Sequence, residues 1–113
     1  MTTETELAWA AGFFDGEGTT SVLKAKRDRY SYIRMQVTQK NADTLERLQT
    51  ALGGLGKIYK SKTRDIYSWN VYKQEDVLHC LTLLWPFLYR HKKEQAERVM
   101  EACNITKGGV CGS

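Results

Sequence analysis

The sequence predicts an α+β domain in which four antiparallel strands form one sheet with helices on one of its faces. Three observations carry this. Two pairs of short segments show strand character, each pair joined by a turn; amphipathic helical stretches precede, separate and follow them; and 113 residues suit one compact core but not two. The expected order is α-β-β-α-β-β-α-α.

Thr3 with Glu6 three residues later is a capping-box pattern, opening a helix through Leu7 to about Phe14. Leu7, Ala10 and Phe14 share one stripe of that helix. Ala8, Ala11, Gly12 and Asp15 share a neighbouring, small-sided stripe that invites another backbone to approach closely. Gly16 and Gly18 are expected to stop the helix. Residues 19–27 read as a strand, Asp28-Arg29 as a turn and residues 30–38 as a second strand. In the second, Ile33, Met35 and Val37 alternate with Tyr32, Arg34, Gln36 and Thr38, which sets an apolar face against the core and a polar face outward.

Asn41 is placed to cap a second helix carrying Ala42, Leu45, Leu48 and Leu52, ended by Gly53-Gly54. Two more strands follow, about 56–62 and 65–72, with Thr63, Arg64 and Asp65 as their turn. Ile58, Trp69 and Val71 are expected inward; Lys57, Tyr59, Ser61, Ser68 and Asn70 outward. A third helix, about 74–84, carries Val77, Leu78, Leu81 and Leu84 and is broken by Pro86. A fourth, about 90–103, places Ala96, Val99, Met100 and Cys103 on one face. Residues 1–105 form the expected domain and 106–113 a flexible tail.

No apolar run is long enough to span a membrane, and the acidic, polar start lacks the features of a signal peptide. Three cysteines without CxxC spacing argue against a disulfide framework or a structural zinc site and favour an intracellular setting. Charge is unevenly distributed. Residues 1–17 carry four acids and no base, residues 18–74 carry twelve bases and four acids, and the remainder balances. A basic block on the strand-rich middle of the chain calls for a polyanion. A twisted antiparallel ribbon fits the DNA major groove, and a saddle of four strands can lie along it. His79 and His91 have no partner motif and no Gly-rich phosphate loop follows a strand, so a small-molecule substrate is not expected.

Ala10-Ala11-Gly12-Phe13-Phe14-Asp15-Gly16-Glu17-Gly18 resembles the LAGLIDADG motif: two small residues, Gly, two apolar residues, Asp, Gly, an acid, Gly. Gln36-Val37-Thr38-Gln39-Lys40 resembles the end of that family's second strand. Trp85-Pro86-Phe87-Leu88 with Lys92-Lys93-Glu94-Gln95-Ala96 resembles its Pro-aromatic-Leu segment and the lysine-bearing helix after it. The resemblance runs to about residue 103 and is to single-motif LAGLIDADG homing endonucleases.

It implies a homodimer on double-stranded DNA, with a saddle-shaped four-stranded sheet and Mg²⁺-dependent cleavage of a long, pseudo-palindromic target. Mn²⁺ or Ca²⁺ are expected to substitute in binding. Most such proteins are encoded in introns or inteins. The motif helices of two subunits pack together, here through Ala8, Trp9, Ala11, Gly12 and Asp15, and bring the two terminal acids to the centre of the saddle. Glu17, with the adjoining Gly16, becomes the metal position; the acid common there in the family is Asp, one methylene shorter. One carboxylate is a poor Mg²⁺ site, whereas two from a dimer together with phosphate and water make a good one. Gln39 matches the polar residue near the attacking water. Lys92 matches the lysine that stabilises charge at the scissile phosphate, but the spacing from Pro86 is one residue long, so Lys93 or His91 can take that place. Asp43 stands near where a basic residue is usual, which leaves a non-cleaving nucleic-acid binder on the same scaffold as the alternative.

For DNA contact the candidates are Ser21, Tyr30, Tyr32, Arg34, Gln36, Thr38, Lys57, Tyr59, Ser61, Arg64, Ser68 and Asn70, with Lys24, Lys26, Arg27, Lys60 and Lys62 directed to phosphates. Arg34 suits guanine; Gln36 and Asn70 suit adenine. Strand parity leaves Leu23 against Lys24 open as the outward residue.

Overall fold

The computed structural model describes residues 3–24 and 31–102. The element order matches the expected one: α1 (Glu4–Glu17), β1 (Gly18–Lys24), β2 (Ser31–Gln39), α2 (Ala42–Ala51), β3 (Lys57–Lys60), β4 (Tyr67–Val71), α3 (Gln74–Leu84) and α4 (Arg90–Ala102), with a 3₁₀ turn at Trp85–Phe87. The expected turn at Asp28-Arg29, Lys26, Arg27, Tyr30, Cys103, Cys111 and the tail 106–113 lie outside the described residues.

The strands form one antiparallel sheet in the order β1-β2-β4-β3, so β2 and β4 are central and β1 and β3 are edges. Alternation decides the faces. Ile33, Met35 and Val37 of β2 and Trp69 and Val71 of β4 are buried together with Phe14, Leu45, Leu48, Leu52, Val77, Leu84 and Ala96 from the helices. The helices therefore cover one face and leave the other open. Burying side chains of this size stabilises the fold by about 1.5–3 kcal/mol each, which outweighs the weak propensity of the short strands.

Several local expectations are corrected by packing. Gly16 does not stop α1, which continues to Glu17; Gly18 is the C-cap, its N–H donating to the Phe14 carbonyl. A Cβ on Gly18 would collide with the Phe14 ring, so it is the ring seated over Gly18 that fixes where helix becomes strand. Thr3 does cap α1, accepting from the Glu6 N–H at 3.1 Å. Among the described residues the reciprocal half of the capping box is absent: the Glu6 carboxylate instead takes a two-pronged ion pair from Arg47 on α2. That partner holds the Glu6 carboxyl below its usual range. Asn41 occupies the N-cap of α2 but its side chain makes no capping hydrogen bond.

Strands β3 and β4 are shorter than the alternation suggested because residues 61–66 are drawn into their connection. Ser61 Oγ accepts from the N–H groups of Thr63 and Arg64, while the Ser61 N–H donates to the Ile66 carbonyl. Pro86 ends α3 as expected, by diverting the chain into the 3₁₀ turn before α4. Cys80 is buried on α3, and burial together with the Asp76 charge pushes its thiol pKa up to about 12, as befits a core residue without redox chemistry.

Gly56 sits at φ 87° just before β3, and a Cβ there would strike the Trp69 indole, whose Nε1–H donates to the Leu55 carbonyl at 3.0 Å. Gly56→Ala is therefore expected to destabilise the protein by about 2 kcal/mol or more, combining left-handed strain with displacement of a buried tryptophan. Chemical denaturation checks this; a variant as stable as the parent excludes the close approach.

Candidate functional site

Two regions gather the residues singled out from the sequence: the C-terminal end of α1 and the open face of the sheet.

At the first, three ties run from α4 to the α1–β1 junction. Both oxygens of Asp15 accept from the Tyr89 N–H, at 3.1 and 3.0 Å. Tyr89 immediately precedes α4, so this carboxylate also faces the positive end of that helix. Lys92 Nζ donates to the Gly18 carbonyl at 2.6 Å, and Gln95 Oε1 accepts from the Thr20 N–H at 3.2 Å. Lys92 is thereby brought to the residue next to Glu17. Of the other two candidates for its role, Lys93 lies over the Trp85 ring at 5.8 Å and His91 tilts against Tyr89. Glu17 and Gly16 are exposed at the helix end. Gln39 is half-buried, two residues beyond Val37, which pairs with Gly18; it therefore lies at the same end of the sheet. Among the described residues no cluster of three or more His, Cys, Asp or Glu stands ready to hold a metal.

The exposed line on α1 is Thr5, Ala8, Gly12 and Gly16, and a Cβ at either glycine would meet no heavy atom within 4 Å. Ala11 does not belong to that line. It is fully buried within the subunit and has no surface to offer a second chain. Trp9 is stacked on Phe13 with ring centroids 5.2 Å apart, and the Arg47 guanidinium covers it at 3.9 Å.

On the open face, register sorts the residues into cross-strand rows. Thr19, Gln36, Asn70 and Lys57 form one; Ser21 and Arg34 a second; Thr38, Ser68 and Tyr59 a third. Leu23 pairs with Tyr32, in step with Ser21 and Arg34, whereas Lys24 pairs with Ser31 in the alternate set that includes Val22 and Ile33. Lys60 similarly alternates with Tyr59 and reaches over the Tyr67 ring at the sheet edge. Thr38, Lys57 and Tyr59 are exposed, Ser21, Arg34, Gln36 and Ser68 half-buried. Arg64 is exposed in the β3–β4 connection, where the Ser61 hydroxyl is already engaged. Asn70 is only 4% exposed, against the expectation of an outward base reader.

This αββαββαα arrangement, with a small-residue helix ending in an acid beside an open polar sheet, invites comparison with known proteins. A family model described as LAGLIDADG endonuclease matches residues 10–97. The chain belongs to the LAGLIDADG endonuclease family. A comparison with curated proteins finds no match. Among solved structures, the chain is similar to the homing endonuclease I-CvuI in complex with the I-CreI target in the presence of magnesium, with the DNA not cleaved. The TM-score is 0.75 at 25% identity, covering 87% of this chain and 65% of that one. It is similar to the LAGLIDADG homing endonuclease I-SmaMI bound to cleaved DNA, with TM-score 0.67 at 25% identity over 96% of this chain and 41% of the other. The archaeal intron-encoded homing endonuclease I-Vdi141I, complexed with DNA, shares the fold at TM-score 0.72 and 23% identity, over 87% and 66%. The chain spans less than two thirds of the length of each.

In this LAGLIDADG chain the motif helix is α1, and sequence reasoning missed two of its neighbours' contributions. Gln95, which ties α4 to β1, lay inside a segment that resembled the family yet carried no role, because its partner is a backbone group 75 residues away. Thr19 joins the Gln36 row through a register that sequence alone does not supply. The Asp15 tie makes a separate prediction. Asp15→Ala is expected to cost about 1 kcal/mol of stability through loss of a charged acceptor at a helix start, with Asp15→Asn costing less because one acceptor oxygen remains. Urea unfolding of both variants checks the order; equal and negligible effects exclude the tie.

Proposed function

We propose that this chain acts as a homodimeric, site-specific DNA endonuclease whose two Glu17 carboxylates hold divalent metal at the centre of a DNA saddle. The observation that carries this reading is the exposed Glu17 at the end of a helix whose exposed line is made of Thr5, Ala8, Gly12 and Gly16. Family membership and the similarity to DNA-bound homing endonucleases support it.

The donor set fits half of a magnesium site. Glu17 offers hard carboxylate oxygens and Gly16 a backbone carbonyl at the same exposed end; a second copy and the DNA phosphates complete the oxygen shell. When bound, divalent metal supplies activation of water and stabilisation of the leaving oxygen. The chain's own groups do the remaining work. Lys92 retains two of its three ammonium donors after binding the Gly18 carbonyl, so it can place positive charge beside a scissile phosphate while fixed in position. Gln39, with both donor and acceptor atoms, can orient a water at the same end of the sheet. The open face, with Arg34 and Lys57 among its polar groups and Arg64 in the adjoining β3–β4 connection, takes the duplex.

Glu17→Gln removes the anionic ligand without changing size. Loss of cleavage in Mg²⁺ with DNA binding retained is the expected result, read from a plasmid carrying the target. If Glu17→Gln cuts at the parent rate, the mechanism fails. If the parent itself binds without nicking, the non-cleaving reading holds; Asp43, where a basic residue is usual, is the residue that favours it.

Self-association is tested apart from folding. Gly12→Leu adds a side chain where the subunit has open space, so each subunit is expected to gain up to about 1 kcal/mol of helix propensity. The dimer, by contrast, is expected to dissociate, as read by sedimentation at micromolar concentration. A Gly12→Leu protein that remains dimeric places the interface elsewhere.

A further inference from the structure

The open face carries a hydrogen-bonded trio whose inner member is out of reach of a ligand. Asn70 Nδ2 donates to Ser68 Oγ at 2.7 Å, and Gln36 Nε2 donates to the same oxygen at 3.2 Å. Both hydroxyl lone pairs of Ser68 are thus used, and the Gln36 amide is held by one of its two N–H groups. Its second N–H and its Oε1 remain, which is the donor–acceptor pair that matches N7 and N6 of adenine.

Asn70 itself is 4% exposed, and its Oδ1 is buried without a partner among the described residues. Among the described residues one other side-chain atom on this face shares that condition: the Arg34 Nε, a donor. Gln36 pairs with Asn70 across the sheet, and Arg34 stands two residues from Gln36 on the same face, so Arg34 and Asn70 are diagonal neighbours. Residues so related are about 7–8 Å apart, within reach of an arginine side chain. Along the paired strands Ser68 lies on one side of the Gln36–Asn70 pair and Arg34 on the other, so with Nδ2 given to Ser68 the Oδ1 is the amide atom left for Arg34. A buried acceptor and a buried donor, each lacking a mate, are costly apart and complementary together.

We propose that Asn70 is a positioning residue that sets base preference: it fixes Gln36 through Ser68 and receives the Arg34 Nε–H on DNA binding. Gln36 then reads an adenine, and the terminal amino groups of Arg34 read O6 and N7 of a guanine. Two residues along a strand advance about 6–7 Å, so the two purines fall within about two base-pair steps of each other in each half-site. The inference rests on the proposed DNA binding and specifies what that face selects.

Selection from a pool of randomised duplexes in calcium buffer, followed by sequencing, tests it with the parent chain, Asn70→Ala, Asn70→Asp and Ser68→Ala. The parent should enrich the adenine and guanine at that spacing by roughly 5- to 150-fold over other bases. Asn70→Ala should reduce both preferences at least fivefold, by about the lower end of that range. Ser68→Ala should reduce the adenine preference alone, and Asn70→Asp, which keeps an acceptor for Arg34, should retain the guanine. The last two variants decide the matter even if Asn70→Ala does not fold. A uniform fall in affinity with base preferences unmoved overturns the inference and leaves DNA binding standing; a parent that recovers no duplex overturns both.

Discussion

The attachment of α4 to the α1–β1 junction is the constraint on which the arrangement around Glu17 depends. Three unrelated side chains, Asp15, Lys92 and Gln95, each reach a backbone group across about 75 positions of sequence. Backbone partners cannot be repositioned by a change of rotamer, so the three bonds together define both the translation and the tilt of α4 against the motif helix. Without them Lys92 would sit on a solvent-facing helix start, a long flexible cation with no fixed relation to Glu17. With them, the lysine, the exposed acid and the end of β2 that carries Gln39 share one corner of the molecule.

The opposite requirement governs α1. Its buried side, Ala10, Ala11 and Phe14, belongs wholly to the subunit core, and Phe14 dictates the glycine at position 18. Its exposed side carries almost no side-chain bulk. One helix thus carries a packed side and a bare side whose residues alternate along it, and Gly12 and Gly16 weaken it locally without terminating it, because the core side anchors the helix.

Much of the architecture could be read from residue pattern: the hairpin pairs, the inward set of β2, the glycine stop after α2 and the diversion at Pro86 are all properties of short windows. What escaped was non-local. Ala8 and Ala11 are indistinguishable by size and lie one turn apart on the helix, yet one is exposed and the other fully buried, because the difference is set by what the sheet and other helices cover. The bond from the Tyr89 N–H to Asp15 was not legible, because nothing in the vicinity of Asp15 announces Tyr89. Asn70 read as an outward residue, correctly by parity; its burial comes from its neighbours' side chains closing over it, which alternation does not describe. The roles proposed for Glu17, Gln39 and Lys92 come from resemblance to a family rather than from composition; what the structure adds is that the three lie at one end of the sheet.

The edge strand β3 has one further consequence. It is four residues long and begins and ends with exposed lysines, Lys57 and Lys60. An unpaired strand edge is a template on which another chain can extend the sheet, and short length with lysine is a recurrent guard against that. The positive charge on this border therefore protects the molecule from its own kind. Replacing Lys57 to retune the proposed DNA contacts would also strip a safeguard against aggregation, so solubility and that proposed recognition cannot be engineered independently along this border.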